Sequence, residues 1–277
     1  MIGQTKTVEQ INSLIEQNKF PRFTVICGPK GSGKKTLAKY IGRQLPDCTT
    51  IVLEDNKIDT VRMVVEDSRK NRGRPTLYVI PDADVMSVNA KNAILKLAEE
   101  PPEGTYLIMT LVNEYAMFAT IMSRAYKISI SSYKPYELRE YALGTIGMSV
   151  QDYDRVADFC EVPGDIDNLS KCDIHKFLDF LELVIDNIAE VEGANAFKIG
   201  DKLALKDEED KFDLALFWRA FTVVCFRRGV TMSYVKDYLS AIRVTGNHLR
   251  NLRATGINKQ MEFDRWVLDI REIWLDD

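Results

Sequence analysis

The chain has 277 residues, 45% hydrophobic and 28% charged, an ordinary globular balance with room for one to three domains and a sizeable core. A net charge of −4 and a pI near 5.5 exclude holding nucleic acid by bulk charge alone, although local basic faces stay open. No stretch is apolar for long enough to span a bilayer, and the opening MIGQTKTVEQ has no apolar signal core, so a cytoplasmic protein with no membrane partner is expected.

The first half alternates between helix and strand patterns. A helical stretch near residues 7–18 sets Val8, Ile11, Leu14 and Ile15 on one face. FTVIC then reads as a buried strand running straight into GPKGSGKKT, Gly28 to Thr36. KKTLAKYIGRQL is helical, TTIVL a strand, IDTVRMVVEDSRK a helix and TLYVI a strand. SVNAKNAILKLAEE is a helix starting at Ser87 and stopped by Pro101-Pro102. TYLIMTL and YKISI are two more strands. Short all-apolar strands alternating with helices imply a parallel sheet covered on both faces.

After about residue 132 the strands stop. KPYELREYALGTIG and SVQDYDRVADFCEV read as amphipathic helices, and PGDIDNLSK opens another at its proline. From about 173 onward the pattern is helical, with an acidic run LKDEEDKFD and, later, Arg227, Arg228, Arg243, Arg250 and Arg253. The fold class expected is an α/β phosphate-loop domain with a parallel sheet over residues 1–132, a small helical domain over 133–172 and an all-α domain over 173–277.

Cys27, Cys48, Cys160, Cys172 and Cys225 are scattered without a C-x-x-C pair, which points to reduced thiols rather than disulfides or zinc. His175 and His248 lie in helical patterns with no metal-ligand spacing and read as solvated or locally bonded. SRKNRGRP places Arg69, Lys70, Arg72 and Arg74 on a loop that reads first as a solvated turn.

The glycine loop nearly fits G-x-x-x-x-G-K-S/T. Gly28, Gly33 and Lys34 match, but Lys35 stands where a hydroxyl belongs. A strand, a glycine turn and a helix are the context a phosphate loop needs: backbone N–H groups turn inward and the helix N-terminus adds partial positive charge. Gly28, Gly31, Ser32, Gly33 and Lys34, with Lys35 and Thr36 at the helix start, are the candidate phosphate contacts. An ammonium has donors only, so Lys35 cannot ligate Mg²⁺. Thr36 has a hydroxyl, but one residue further along a helix it points about 100° away.

Further segments carry a family resemblance. Ile2-Gly3-Gln4, IDTVR, DADVMSVNAKNAILKLAEEPPEGTYLIM, TIMSRA and INKQMEF follow one another in the order found in AAA+ clamp-loader subunits of bacterial type. The chain is most similar to the delta-prime type of the DNA polymerase III clamp loader. The resemblance implies a helical lid for 133–172 and an oligomerising collar for 173–277. It implies other clamp-loader subunits in a hetero-oligomeric ring, a sliding clamp, and primer-template DNA gripped through its backbone, for which Lys91 and Lys96 are candidates.

The departures from the family pattern fall on one site. Where active members end a strand in Asp-Glu, this chain has Pro81-Asp82, leaving Asp82 as a degenerate acid. The sensor 1 position aligns with Leu111 and Val112, and Asn113 lies just beyond. VPGD puts Asp165 where the family's second sensor carries arginine. Arg124 survives, and the resemblance makes it an arginine finger acting in trans on a neighbour's ATP. The resemblance thus implies little or no hydrolysis here, ATP or ADP held weakly or without metal, and no zinc module. Two rival readings are a gamma-like motor that hydrolyses ATP and an AAA+-derived scaffold outside replication.

Overall fold

Every apolar run expected as a strand is one. The computed structural model describes residues 2–70, 73–187, 213–231, 235–252 and 257–275 and places β1 at Phe23–Cys27, β2 at Thr49–Val52, β3 at Thr76–Ile80, β4 at Thr105–Leu111 and β5 at Tyr126–Ser129. They form one sheet in the order β2-β3-β4-β1-β5, with every pairing parallel. Of the run LKDEEDKFD only Asp213 is described, and Arg72 and Arg253 also lie outside the described residues.

Alternation along the strands feeds two cores. Val25 of β1, Tyr78 and Ile80 of β3, and Leu107, Met109 and Leu111 of β4 pack on one face with Val61, Val64, Ile94 and Leu97. Ile26, Leu77, Val79 and Ile108 point to the other, against Ile11, Leu37, Ala38 and Ile41. Burial on both faces is why the strands read as continuous apolar runs. The helices supplying these contacts are α1 (Thr5–Glu16) and α2 (Lys34–Gln44) on one side, and α3 (Ile58–Asp67) and α4 (Val88–Glu99) on the other.

Local chemistry sets the helix ends. α1 runs slightly earlier than the expected 7–18 because Asn18 turns left-handed at φ 54° and Lys19 N–H bonds back to Leu14 C=O at 2.8 Å. α4 opens where expected: the Ser87 hydroxyl accepts the Ala90 N–H at 3.2 Å. It ends at Glu99, before the two prolines. A short α5 (Ala119–Met122) precedes β5.

The chain divides into two compact units, Met1–Glu137 and Leu138–Asp277, with α6 (Pro135–Glu140) at the join. The second has only helices as regular elements among its described residues, including α7 (Val150–Val156), α8 (Pro163–Leu169), α9 (Ile174–Asn187), α10 (Leu214–Thr231), α11 (Val235–Asn251) and α12 (Lys259–Leu275). SVQDYDRVADFCEV is not one helix, since α7 passes into a 3-10 turn at Ala157–Phe159. The core of this unit is aromatic. Phe217, Trp218 and Phe221 of α10 meet Phe263 and Trp266 of α12, with Phe221 and Trp266 edge to face at 4.9 Å. His248 is buried between two carboxylates, its ring nitrogens 2.8 Å from Glu262 and 2.9 Å from Asp269. Exposed His175 lies beside Arg155 and Asp152, so both histidines are locally bonded. In the INKQMEF segment the Asn258 side chain accepts the N–H groups of Gln260 and Met261, which caps α12.

Candidate functional site

β1 lies between β4 and β5, where the strand order reverses, and the crevice at the carboxyl ends of the strands is where open α/β sheets bind ligands. Gly28 leaves β1 at that point, with its N–H on Leu111 C=O at 3.1 Å. Gly31 (φ 78°) and Gly33 (φ 83°) adopt the left-handed conformation that turns the loop into α2. No side chain caps the α2 N-terminus, so its first N–H groups face the loop.

Three side chains fix the loop's carbonyls. The Lys34 ammonium donates to Gly28 C=O at 2.9 Å and Pro29 C=O at 2.7 Å. The Ser32 hydroxyl donates to Pro29 C=O at 2.8 Å, and the Tyr133 hydroxyl donates to Ser32 C=O at 2.8 Å. Lys34 is buried, which pushes its ammonium below the usual lysine range, while Asp82 and then Asp84 pull it back up. To reach a phosphate, Lys34 exchanges these carbonyls for phosphate oxygens. Lys35 and Thr36 are both exposed. The residues present fit the phosphates of a nucleotide: a glycine turn, an uncapped helix start and a lysine. They do not offer the hydroxyl that would hold its metal.

The acid side of the site is built on the exits of β3 and β4. Asp82 is itself left-handed at φ 47°, a conformation aspartate tolerates. Its N–H donates to Thr110 Oγ1 at 3.0 Å, and Asn56 donates to Pro81 C=O at 2.7 Å and Asp82 C=O at 3.0 Å. Sequence reading missed Asp84 and Thr110. The Asp84 carboxylate accepts the Val112 and Asn113 N–H groups at 3.3 and 3.2 Å, tying the two exits together. Thr110 faces the α2 side with Ile108, while Leu111 is fully buried on the opposite face. Asn113 caps the following turn through the Tyr115 N–H.

Two expectations are corrected. Lys91 is not a surface cation for DNA phosphates: it is 8% exposed and donates to Asp84 C=O at 3.3 Å and Ala116 C=O at 2.6 Å. Asp165, at the position where the family pattern carries arginine, is not an open reversed charge. Its buried carboxylate accepts the Glu161 and Val162 N–H groups at 2.9 and 3.1 Å and pairs with Arg219 of α10. Lys96, Arg69 and Arg74 are exposed, and Lys70 pairs with Asp67 at 3.4 Å. Arg227 and Arg228 are tied to Asp158 and to Glu182 and Asp186.

The Ile2-Gly3-Gln4 opening has a physical role. The Gln4 amide pairs with both backbone groups of Ser131, at 2.9 and 3.0 Å. Gly3 has φ 67°, and a Cβ there would stand 2.8 Å from the Tyr133 ring. Gly3→Ala is therefore expected to cost about 1–3 kcal/mol in urea unfolding. Part of that loss should return in a Gly3→Ala/Tyr133→Ala variant, and an unchanged midpoint for Gly3→Ala would sink this account.

Arg124 lies elsewhere. Tyr126 pairs with Thr24, so Arg124 is level with the start of β1, while Gly28 follows its end. The separation is roughly 20 Å of strand rise, beyond the reach of a side chain. Arg124 is half-exposed, with Nη1 donating to Thr120 C=O at 2.7 Å and Nη2 at 3.4 Å from Glu99 Oε1.

Among the described residues no group of three or more His, Cys, Asp or Glu is placed to hold a metal ion, and no helix is long and apolar enough to cross a membrane.

Comparison with known proteins adds a family signal. A family model described as DNA polymerase III, delta subunit, matches residues 43–134. DNA polymerase III subunit tau of Bacillus subtilis (strain 168) is 25% identical over 152 residues, covering 45% of this chain and 27% of that protein. DNA polymerase III subunit delta' of Buchnera aphidicola subsp. Schizaphis graminum is 30% identical over 86 residues, covering 29% of this chain and 26% of that protein. The chain thus spans about a quarter of the length of these two relatives. A DNA polymerase III gamma subunit-related protein from Thermotoga maritima has the same fold, with a TM-score of 0.55 and 14% identity over 96% of this chain and 99% of that one. The chain is thus similar over part of its length to DNA polymerase III subunits, delta' among them.

Proposed function

We propose that this chain is a clamp-loader subunit of delta-prime type that hydrolyses little or no ATP itself and supplies Arg124 to a neighbouring subunit's ATP site. The observation that carries the reading is the position of Arg124. It is half-exposed at the end of the sheet opposite its own phosphate loop, so the phosphate it can meet belongs to another chain. The home site supports the same reading. It keeps the glycine turn and Lys34, has Lys35 in place of a metal-ligating hydroxyl, and has Pro81-Asp82 in place of an acidic pair. Phosphoryl transfer depends on positioning and charge neutralisation, and the groups that would hold a metal ion for both are absent from these positions.

In this reading residues 1–132 form the nucleotide-binding-type domain, 133–172 a lid and 173–277 a collar in a hetero-oligomeric ring. The work done is loading a sliding clamp onto primer-template DNA in the cytoplasm. DNA would be held through its backbone by exposed cations such as Lys96 and Arg69, with an affinity that falls as salt rises. ATP or ADP at the home loop would bind weakly and without a fixed metal.

The test is ATP turnover with Mg²⁺. The isolated chain is expected to match its own Lys34→Ala variant at background level, and mixing it with gamma-type ATPase subunits of the same genome should raise turnover above that of those subunits alone. Turnover by the isolated chain that vanishes in Lys34→Ala would identify a motor subunit instead. Unchanged turnover on mixing would favour a scaffold outside replication.

A further inference from the structure

We propose that Glu99 is the positioning residue for Arg124, holding its guanidinium in the direction in which it is presented to the neighbouring subunit's phosphate. The inference rests on the finger reading given above. Two observations carry it.

The first is the geometry of the arginine. Nη1 is bonded to Thr120 C=O at 2.7 Å and Nη2 lies 3.4 Å from Glu99 Oε1. Two anchors on different nitrogens fix both the direction and the plane of the fork. Only two of its five N–H donors are engaged in these contacts. The second is the place of Glu99 itself. It is the last residue of α4, and Pro101-Pro102 follow. A carboxylate there opposes the helix macrodipole, which favours cations at a C-terminus. A residue that breaks a local rule needs a compensating partner, and Arg124 is that partner.

The pair is suited to being surrendered. Glu99 is 42% exposed and Arg124 45%, so water competes for both. As charge develops on the neighbouring subunit's phosphate in the transition state, arginine, which can grip it with two donors at once, exchanges the carboxylate for it. Before that moment Glu99 limits the rotamers Arg124 samples, so less freedom is lost in the transition state.

The experiment uses the complex of this chain with gamma-type ATPase subunits. Glu99→Gln is expected to lower kcat about 3- to 30-fold with the KM for ATP unchanged, because the contact is made only as charge develops. Glu99→Asp, which keeps the charge, should recover part of the loss. In an Arg124→Ala background Glu99→Gln should have no further effect, as expected of a residue acting through another. If Arg124→Ala lowers turnover and Glu99→Gln does not, Glu99 has no such role and the finger reading stands. If Arg124→Ala itself changes nothing, the finger reading falls and this inference falls with it. A rise in kcat for Glu99→Gln would mean that Glu99 restrains the finger, and would overturn the proposal.

Discussion

On the proposed finger reading, Arg124→Ala is expected to leave the chain folded and to lower ATP turnover at the neighbouring subunit's site by about 10³- to 10⁵-fold, the range over which an arginine finger acts. The two halves of this expectation have separate grounds. Arg124 and Glu99 are both almost half-exposed, and surface ion pairs contribute at most about 1 kcal/mol, so the unfolding midpoint should barely move. Catalysis should respond strongly, because a fixed cation facing the γ-phosphate acts where charge develops and where little water competes. Arg124→Lys should recover only a small part, since a single ammonium lacks the planar fork. The measurement is steady-state turnover of the assembled complex, with assembly checked by gel filtration. A tenfold or smaller loss for Arg124→Ala in an intact complex would mean that the arginine is not a finger.

The second large effect is expected at Arg219. Arg219→Met leaves the Asp165 carboxylate, 7% exposed, with only the Glu161 and Val162 N–H groups. Removing one partner of a buried pair costs about 3–5 kcal/mol, and the lower end is expected because those N–H groups remain. Burial already holds the Asp165 carboxyl above its usual value, and Arg219 is the strongest influence opposing that rise. Without Arg219 it rises further. A carboxyl with a folded-state pKa above its unfolded value of about 3.9 contributes its stability below that value and loses it as pH climbs through the folded pKa. The deficit of Arg219→Met should therefore be small near pH 4 and largest by pH 8 in urea unfolding. Adding Asp165→Leu should restore part of the loss at pH 8, because an apolar pair removes the stranded charge although the α8 cap is lost too. A deficit independent of pH would show that the pair is not what Arg219 contributes.

Local patterns in the sequence carried the strands, the loop and the cap at Ser87, because period, turn chemistry and capping act over a few residues. Partners that lie far apart in the chain escaped. Asp165 was legible as a reversed charge, but its true partner Arg219 is 54 residues away. Lys91 carries the polarity of a surface residue, yet two carbonyls, from Asp84 and from Ala116 25 residues on, let it be buried. Thr110 passed as one more member of an apolar strand, and only the strand pairing shows its hydroxyl under the Asp82 N–H. Glu99 was visible within LAEEPP as a helix stop. Its contact with Arg124 depends on how α4 and α5 pack, which no local spacing reveals.

The Gln4–Ser131 pairing also bears on when the phosphate cradle can exist. Gln4 anchors a residue 127 positions away, and Tyr133, two residues beyond Ser131, holds the Ser32 carbonyl from a separation of 101. Such closures are made late, because the entropy of a long loop must be spent before the contact returns anything. A chain growing from its N-terminus carries GPKGSGKKT long before it carries the residues that shape it. The cradle then matures only after β5 has docked beside β1, and nascent chains shorter than that hold the motif as sequence without its form.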